Sequence, residues 1–324
     1  MVSFSPIWSI AFGLVLLSTV NARAEASPQV SPALQKILDQ AYEGPLYTYP
    51  TSLTQGILPV GIFKAIHSHN DYWRPLPFYT ALSVGAVSVE ADVWLFNDTL
   101  YVGHEPLALT SARTFESLYI KPILDTLNRQ NPDASPFVPL ETYNGVFDMD
   151  GGQTLYLWVD VKTDGAKTWP AVVKALEPLR SRGYLASSDD KTFRYGPVTV
   201  IGTGNTPLDL VKSANPRNYF FDAPISALDN SLSDLTYHVS PVASAAFSTT
   251  FGGVSGSGLN EGQLALLRKH ISVAHPRGIR LRYWDQPGWP YSTRNQIWRQ
   301  LKGEGVDFIN ADDVEAAAGL GNMW

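Results

Sequence analysis

Three stretches of the chain alternate, residue by residue, between polar or aromatic side chains and small aliphatic ones: 87–94, 155–162 and 279–284. Successive side chains of a β-strand point to opposite faces, so residues two apart share a face. In the first stretch, Glu90 and Asp92 therefore lie on the same face. In the second, Asp160 and Lys162 do the same. A strand with one aliphatic and one polar face is typical of a closed parallel barrel with helices outside and an active site inside.

Strand and helix patterns follow one another along the chain. Strands are predicted over 63–67, 87–95, 154–162, 198–203, 218–222, 242–248, 279–284 and 306–310. Helices are predicted over 78–84, 115–130, 169–182, 260–272 and 293–301, and a hairpin joins 93–96 to 100–103. Eight strands in this order predict an α/β fold, a single (β/α)8 TIM barrel over residues 60–324. The structural alternative, an open doubly wound sheet, lacks the G-x-G-x-x-G that would follow its first strand.

Composition agrees with one large domain. The chain has 324 residues, of which 44% are hydrophobic, enough for a barrel of about 250 residues. A net charge of −6 counts against nucleic acid as a partner, because no Lys/Arg surplus is available to neutralise phosphates. With no cysteine, the fold has no disulfide in any compartment.

The first 24 residues predict a secretory signal peptide. An apolar run at 7–20 has the length of a signal-peptide core, and Ala22-Arg23-Ala24 forms an A-x-A cleavage site. We expect cleavage after Ala24 and secretion; an uncleaved membrane anchor is the alternative. Residues 25–59 form a lead-in segment with a short helical pattern at 32–42. The sequon at Asn97, in the predicted hairpin turn, is a candidate glycosylation site, with an unmodified turn asparagine as the alternative.

Two histidines flank the first polar strand, His67 in HSHND and His104 in YVGHE. One histidine can deprotonate an attacking hydroxyl or water while another protonates the leaving oxygen. Carboxylate oxygens on rigid strands suit Mg²⁺ or Ca²⁺, and a lysine beside them adds a point charge for phosphate. These are the devices that cleavage of a phosphodiester at neutral pH requires.

The order of these pieces resembles a known superfamily. A histidine is followed about twenty residues later by G-A-x-S-x-E-x-D-V, then by a hairpin ending in histidine, then by D-x-K-T. This order is similar to that of the glycerophosphodiester phosphodiesterases and phosphatidylinositol phospholipases C. Within this PLC-like phosphodiesterase superfamily, the resemblance is closer to the sphingomyelinase D-like branch and to the fungal altered inheritance of mitochondria protein 6 family. It runs from about residue 66 to residue 313.

The resemblance implies a metal-dependent phosphoric diester hydrolase or cyclising lyase acting on lipid phosphodiesters or glycerophosphodiester-like head groups. It implies that a divalent metal, Mg²⁺ in preference to Ca²⁺, is bound by Glu90, Asp92 and Asp160. His67 and His104 would carry out the acid/base chemistry. Substrate would contact Lys162, Trp284 and Asn70. The expected partners are a small phosphodiester or lysolipid-type substrate and, transiently, a membrane surface.

The chain also departs from these families. Glycerophosphodiesterases usually begin with H-R-G and continue into P-E-N-T, whereas here Ser68 and His69 follow His67, and PLPFYTAL replaces the second motif. The missing arginine and glutamate count against simple glycerophosphodiesters as substrates. His67 and Asn70 reproduce the spacing of the sphingomyelinase D-like enzymes, but their cysteine-bearing loop is absent.

Two other functions compete with the phosphodiesterase. The first is a catalytically silent barrel that binds a ligand, which the missing H-R-G arginine favours. The second is a glycosidase using Glu90 and Asp160 as its carboxylate pair. The glycosidase is weaker, because it leaves Lys162 and both histidines without a role.

Overall fold

The computed structural model describes residues 63–132, 142–147, 150–321 and 323–324. The predicted signal peptide, residues 1–24, and the predicted lead-in segment, residues 25–59, lie outside these residues. Within the described part of the chain, none of the helices combines the length and the apolar character needed to span a bilayer.

Eight parallel strands close into a barrel. The described residues form eleven strands in all, of which β3, β5 and β6 lie outside the barrel: β1 (Lys64–Ser68), β2 (Ala86–Phe96), β3 (Thr99–Val102), β4 (Leu155–Val161), β5 (Ser187–Ser188), β6 (Phe193–Arg194), β7 (Val198–Gly204), β8 (Phe220–Pro224), β9 (Val242–Ala246), β10 (Arg280–Trp284) and β11 (Phe308–Ala311). Around the barrel the order is β1, β2, β4, β7, β8, β9, β10 and β11, and β11 pairs back onto β1. The (β/α)8 prediction is therefore confirmed, and each of the eight predicted strands is present within three residues of its predicted ends.

Helices cover the outside of the barrel. They are α1 (Tyr79–Ser83), α2 (Lys121–Gln130, after a π-helical turn at Glu116–Ile120), α3 (Gly165–Ala175), α4 (Glu177–Ser181), α5 (Leu208–Ser213), α6 (Phe247–Phe251), α7 (Glu261–Ala274), α8 (Tyr291–Glu304) and α9 (Val314–Ala318). The helix predicted over 169–182 is two helices, because Pro178 has no N–H to continue the first. The helices α5, α6 and α9, each of five or six residues, were not among those predicted.

The hairpin after the second barrel strand also forms as predicted. β3 pairs antiparallel with the end of β2 through a two-residue turn at Asn97 and Asp98. Both turn residues have left-handed backbone, with φ of 47° and 59°, which Asn and Asp tolerate better than most residues. Glycosylation of Asn97, which is exposed at this turn, stays a prediction.

The barrel interior is packed below its mouth. Trp158 of β4 is fully buried there, and its ring lies 4.9 Å from the ring of His67 and 6.5 Å from that of Phe308. The guanidinium of Arg282 lies 4.5 Å from the centre of the Trp158 ring. Truncating so large a buried ring to alanine typically costs about 3–5 kcal/mol. This aromatic layer forms the floor on which the functional groups stand.

Candidate active site

A cavity of about 600 Å³ opens at the carboxyl ends of the barrel strands. Its walls come from β1, β2, β4, β7, β9, β10 and β11 or from the loops that directly follow them. In TIM barrels this end is formed by the βα loops and carries the active site. Seven of the eight residues predicted to act in catalysis, metal binding or substrate binding line this cavity, and His67 does not: the seven are Asn70, Glu90, Asp92, His104, Asp160, Lys162 and Trp284.

Three carboxylates meet on the floor of the cavity. Glu90, Asp92 and Asp160 each offer an oxygen within 4.8 Å of the other two. The pairing of β2 with β4 explains this closeness, because Asp92 and Asp160 are direct neighbours in the parallel register. Glu90 shares the inward face with Asp92, two residues earlier on the same strand. The structure thus brings together the three side chains that the sequence predicted as metal ligands.

The charges of this cluster are incompletely balanced by the protein. Burial alone would raise the pKa of Glu90, but Arg282 and then the two nearby histidines hold that pKa well below its usual range. For Asp92, burial and then the charge of Glu90 raise the pKa to about 7. Burial also raises the pKa of Asp160, against the opposing charge of Lys162. Two of the three carboxylates thus resist ionisation, which indicates a place where an added cation is stabilising.

The donor set fits a divalent metal. Carboxylate oxygens are the ligands that Mg²⁺ and Ca²⁺ prefer, and ligands on adjacent strands are held rigidly. A bound cation would relieve the repulsion that raises the pKa of Asp92. The cluster can therefore hold a divalent metal, with Glu90, Asp92 and Asp160 as its protein ligands.

Lys162 bridges two of these carboxylates. Its Nζ lies 2.7 Å from Oδ2 of Asp160 and 3.0 Å from Oδ2 of Asp92. Burial would lower the pKa of Lys162, but the two carboxylates raise it, so the side chain stays charged at neutral pH. The ammonium group also lines the cavity, where it can meet an anionic substrate beside the carboxylates.

Gly204 makes room for one of the carboxylates. It ends β7 with a left-handed φ of 62°, and a Cβ at this position would lie 2.0 Å from Oδ1 of Asp160. The same atom would lie 2.8 Å from the carbonyl oxygen of Val161. Any side chain at position 204 would therefore displace Asp160 from the cluster.

Replacing Gly204 with alanine is expected to reduce both stability and metal binding. The left-handed backbone alone costs an alanine about 1–2 kcal/mol, and the carboxylate of Asp160 must move. Thermal unfolding with and without Mg²⁺ measures both effects. Gly253→Ala is the matched control, because its added methyl group meets nothing within 4 Å. Equal behaviour of the two variants would contradict the role given to Gly204.

The histidine predicted on β1 is not the one that reaches the cavity. His67 is completely buried below the floor, with Nδ1 2.7 Å from the hydroxyl of Ser88. Burial, and then the charge of Arg282, lower its pKa to about 3, so it is neutral at physiological pH. Two residues later on the same face, His69 follows the end of the strand and lines the cavity. Nε2 of His67 still lies 3.7 Å from Oε1 of Glu90, so its acid/base role stays a prediction, and His69 is a second candidate that reaches the cavity.

His69 is held through one ring nitrogen, and its other nitrogen lies near Glu90. Nδ1 lies 2.8 Å from Oδ1 of Asp312, and Nε2 lies 3.6 Å from Oε2 of Glu90. Burial lowers the pKa of His69, but Glu90 and the hydrogen bond to Asp312 outweigh it, and the net pKa is raised. The Asp312 carboxylate at Nδ1 fixes the ring so that Nε2 is the nitrogen that faces the three carboxylates.

His104 approaches the same carboxylates from the hairpin. Its Nδ1 lies 3.6 Å from Oδ2 of Asp92 and 3.3 Å from the hydroxyl of Tyr72. The Tyr72 hydroxyl also donates a hydrogen bond to Oδ2 of Asp92 at 2.8 Å. The side chain of His104 is half exposed, against 22% for His69. The two histidines thus flank the carboxylate cluster, one beneath the β1 loop and one on the exposed rim.

Sequence reasoning did not single out Arg282, although it is central here. It is nearly fully buried and lines the cavity, with Nη2 3.4 Å from Oε1 of Glu90. Its Nε donates to Oδ1 of Asn310 at 2.9 Å. The signal was available, because Arg282 and Trp284 alternate with aliphatic residues on β10, but alternation alone does not tell which polar residue reaches the site. This arginine supplies a cation that the missing H-R-G motif does not.

The two remaining predicted substrate contacts lie at the mouth. Trp284 ends β10 and is 40% exposed. Asn70 lines the cavity but is already engaged, since its backbone N–H donates to Oε2 of Glu90 at 3.0 Å and its side-chain oxygen lies 2.5 Å from the Tyr72 hydroxyl. Its left-handed φ of 49° turns the chain sharply after β1. Contact of either residue with substrate stays a prediction.

Comparison with known proteins gives the same assignment as this geometry. The family model described as "AIM6-like phosphodiesterase domain" matches residues 51–222. The chain is 50% identical to the altered inheritance of mitochondria protein 6 homolog of Arthroderma benhamiae over 316 residues, covering 94% of this chain and 98% of that protein. It is 36% identical to altered inheritance of mitochondria protein 6 of Eremothecium gossypii, covering 80% and 70% respectively. The Saccharomyces cerevisiae protein of that name is 33% identical, covering 79% and 70%. No solved structure matches the chain.

Proposed function

We propose a function that follows from the family of this chain. The chain belongs to the altered inheritance of mitochondria protein 6 family, which has an AIM6-like phosphodiesterase domain. The proposed function is that of a metal-dependent phosphoric diester hydrolase or cyclising lyase. One observation carries the proposal: three carboxylates, two histidines and two cations meet in a single cavity at the catalytic end of the barrel. The names of the relatives state no activity and the family model states only a phosphodiesterase domain, so the specific reaction is our inference.

Substrate binding is assigned to charges on three strands. Glu90, Asp92 and Asp160 would hold the divalent metal, Mg²⁺ in preference to Ca²⁺, which when bound polarises phosphoryl oxygens and offsets the charge that develops on them. Lys162 on one side and Arg282 on the other line the cavity, and both can contact the phosphate directly. The planar guanidinium of arginine can donate two parallel hydrogen bonds to phosphate oxygens, and the lysine ammonium acts as a point charge.

Acid/base chemistry is assigned to His69 and His104. Each ring has its Nδ1 against a protein partner, so Nε2 is the nitrogen free to accept or donate a proton. One histidine removes the proton from the attacking oxygen and the other gives a proton to the leaving oxygen. A positioned acid or base of this kind contributes about 10²- to 10⁴-fold to the rate.

We propose lipid phosphodiesters as the substrate class, with the lipid arm leaving through the mouth. Large apolar side chains are exposed on loops of that same end: Trp73 after β1, Leu107 after β3, and Trp289 with Tyr291 after β10. Trp and Tyr prefer the interface between water and a bilayer, where one end of the ring is apolar and the other wet. These residues support transient contact of the rim with a lipid surface.

Phosphorus NMR on a panel of substrates tests the proposal. Lysophospholipids and sphingomyelin in neutral vesicles, and water-soluble glycerophosphodiesters, would each be incubated with the protein in Mg²⁺, in Ca²⁺ and in chelator. We expect metal-dependent turnover, faster for lipids in vesicles than for the soluble esters. The phosphorus chemical shift separates a cyclic phosphate from a hydrolysed product. Absence of turnover for every substrate would favour the ligand-binding alternative.

A further inference from the structure

Across the cavity from the histidines lies a group of three polar side chains on consecutive strands: Thr203 of β7, Asp222 of β8 and Ser244 of β9. We call it the hydroxyl wall. Oδ2 of Asp222 accepts hydrogen bonds from the hydroxyls of Thr203, at 2.8 Å, and Ser244, at 2.5 Å. Both hydroxyl residues line the cavity, and Asp222, which is only 7% exposed, lies behind them. None of the three has a role in the acid/base or metal chemistry above.

The hydrogen bonds of the wall have a fixed direction. An ionised carboxylate only accepts, so the single proton of each hydroxyl is turned away from the cavity toward Asp222. The lone pairs of Thr203 and Ser244 are then left to face incoming groups. A ligand at this wall is therefore recognised as a hydrogen-bond donor, not as an acceptor.

The charge behind the wall is under-compensated. Oδ1 of Asp222 is buried and has no hydrogen-bond partner among the described residues. Burial, opposed by the charge of Arg282, raises the pKa of Asp222 to about 6. At pH 8 the group is ionised, and a donor or a positive charge near the wall stabilises it. Among the described residues, the two hydroxyls of the wall are thus the only hydrogen-bond donors to this carboxylate.

The position of the wall determines which part of a substrate meets it. In the barrel order, β8 lies opposite β1, which leads into His69, and β9 lies opposite β2, which carries Glu90 and Asp92. A phosphate held at the carboxylates and Lys162 directs one of its two alcohol arms across the cavity toward β8 and β9. The other arm leaves through the apolar mouth.

We propose that the hydroxyl wall binds the head-group arm of the substrate by accepting hydrogen bonds from its hydroxyl or primary ammonium group, and discriminates against head groups that have no such donor. The inference rests on the proposed function, since it takes the phosphate position from it. It names the substrates that the site prefers: hydroxyl- or amine-bearing phosphodiesters over choline-type ones, whose quaternary nitrogen has no N–H.

Binding of matched phosphate monoesters tests the wall without requiring turnover. Ethanolamine phosphate and choline phosphate differ in N–H donors, and 3-hydroxypropyl phosphate and propyl phosphate differ in one O–H donor. Titration calorimetry at pH 8 in Mg²⁺ should give about tenfold tighter binding to the donor-bearing member of each pair, the size expected for one good hydrogen bond. Comparison of the two pairs tells whether the wall recognises the ammonium group, the hydroxyl or both.

Variants of the wall separate its role from general damage. Ser244→Ala and Thr203→Val should bring each ratio close to one, while Thr203→Ser, which keeps the hydroxyl, should retain it. Ser248→Ala is the control, because its hydroxyl also donates to a carboxylate, that of Asp285, but is not among the cavity-lining residues. Equal affinity within both pairs for the unmodified protein, or no binding of any of the four esters, would overturn the inference. Discrimination in binding without turnover of any diester would refute the proposed function alone.

Discussion

Replacing His69 with glutamine is expected to lower kcat by about 10²- to 10⁴-fold on any phosphodiester that the protein turns over. The variant removes the ring nitrogen that faces the carboxylates, while glutamine can still donate a hydrogen bond to Asp312. KM should change little, since the phosphate contacts of Lys162 and Arg282 remain. Steady-state kinetics, with circular dichroism to verify the fold, measures the effect.

His67→Gln is the matched comparison, since it makes the same change two residues earlier. His67 is fully buried and touches the hydroxyl of Ser88 and the ring of Trp158, so this variant should lose stability but retain most of its activity per folded molecule. Loss of turnover in a folded His67 variant, together with normal turnover in the His69 variant, would return the acid/base role to His67.

Replacing Asp92 with asparagine is expected to abolish the stabilisation of the fold by Mg²⁺. In the unmodified protein, a metal at 100 times its Kd adds about 2.7 kcal/mol to the free energy of unfolding. The variant loses a charged ligand from a cluster of three and should gain almost nothing from Mg²⁺. Catalysis that depends on the metal should be lost with it. Thermal unfolding across a Mg²⁺ series measures the difference.

With metal removed by a chelator, the stability of the same variant should depend on pH differently from that of the unmodified protein. The pKa of Asp92 in the folded protein, about 7, lies above its ordinary value of 3.8, so protonated Asp92 stabilises the fold. That contribution is complete below pH 3.8 and is lost as the pH rises through 7. We therefore expect Asp92→Asn to be the more stable protein at pH 8 without metal, by on the order of 1–3 kcal/mol, and this advantage to disappear near pH 4.

Asp285→Asn is the control for both measurements. Asp285 also lines the cavity, but it is exposed and lies outside the carboxylate cluster. Its left-handed backbone, with φ of 59°, is one that asparagine tolerates. An equal stabilisation of Asp92→Asn and Asp285→Asn by Mg²⁺ would contradict the assignment of Asp92 as a metal ligand.

The carboxylate cluster was predictable because its information is local. Glu90 and Asp92 lie two residues apart on a strongly alternating strand, and Asp160 has the same relation to Lys162. Parallel strands of a barrel end together, so polar residues near their carboxyl ends converge once the fold class is known. The register that makes Asp92 a direct neighbour of Asp160 only refines this expectation.

The choice between His67 and His69 was not predictable in the same way. His67 lies on β1 and His69 directly follows it, two residues later, so alternation along the sequence treats them alike. What separates them is depth: Trp158, from a strand more than eighty residues later, packs over the level of His67 and leaves His69 above the floor. Arg282 was not singled out for a related reason, since its place in the site depends on Glu90, 192 residues away in sequence.

The amino-acid sequence by itself determined the barrel, the order of its strands and which faces carry the polar side chains, because these follow from periodicities of two and 3.6 residues along a continuous chain. Three features depend on the tertiary structure alone. They are which histidine reaches the cavity, the position of Arg282 beside the three carboxylates, and the orientation of two hydroxyls of the opposite wall by Asp222. Those outcomes depend on contacts between strands that are distant in sequence, and on how deep each side chain lies in the packed interior.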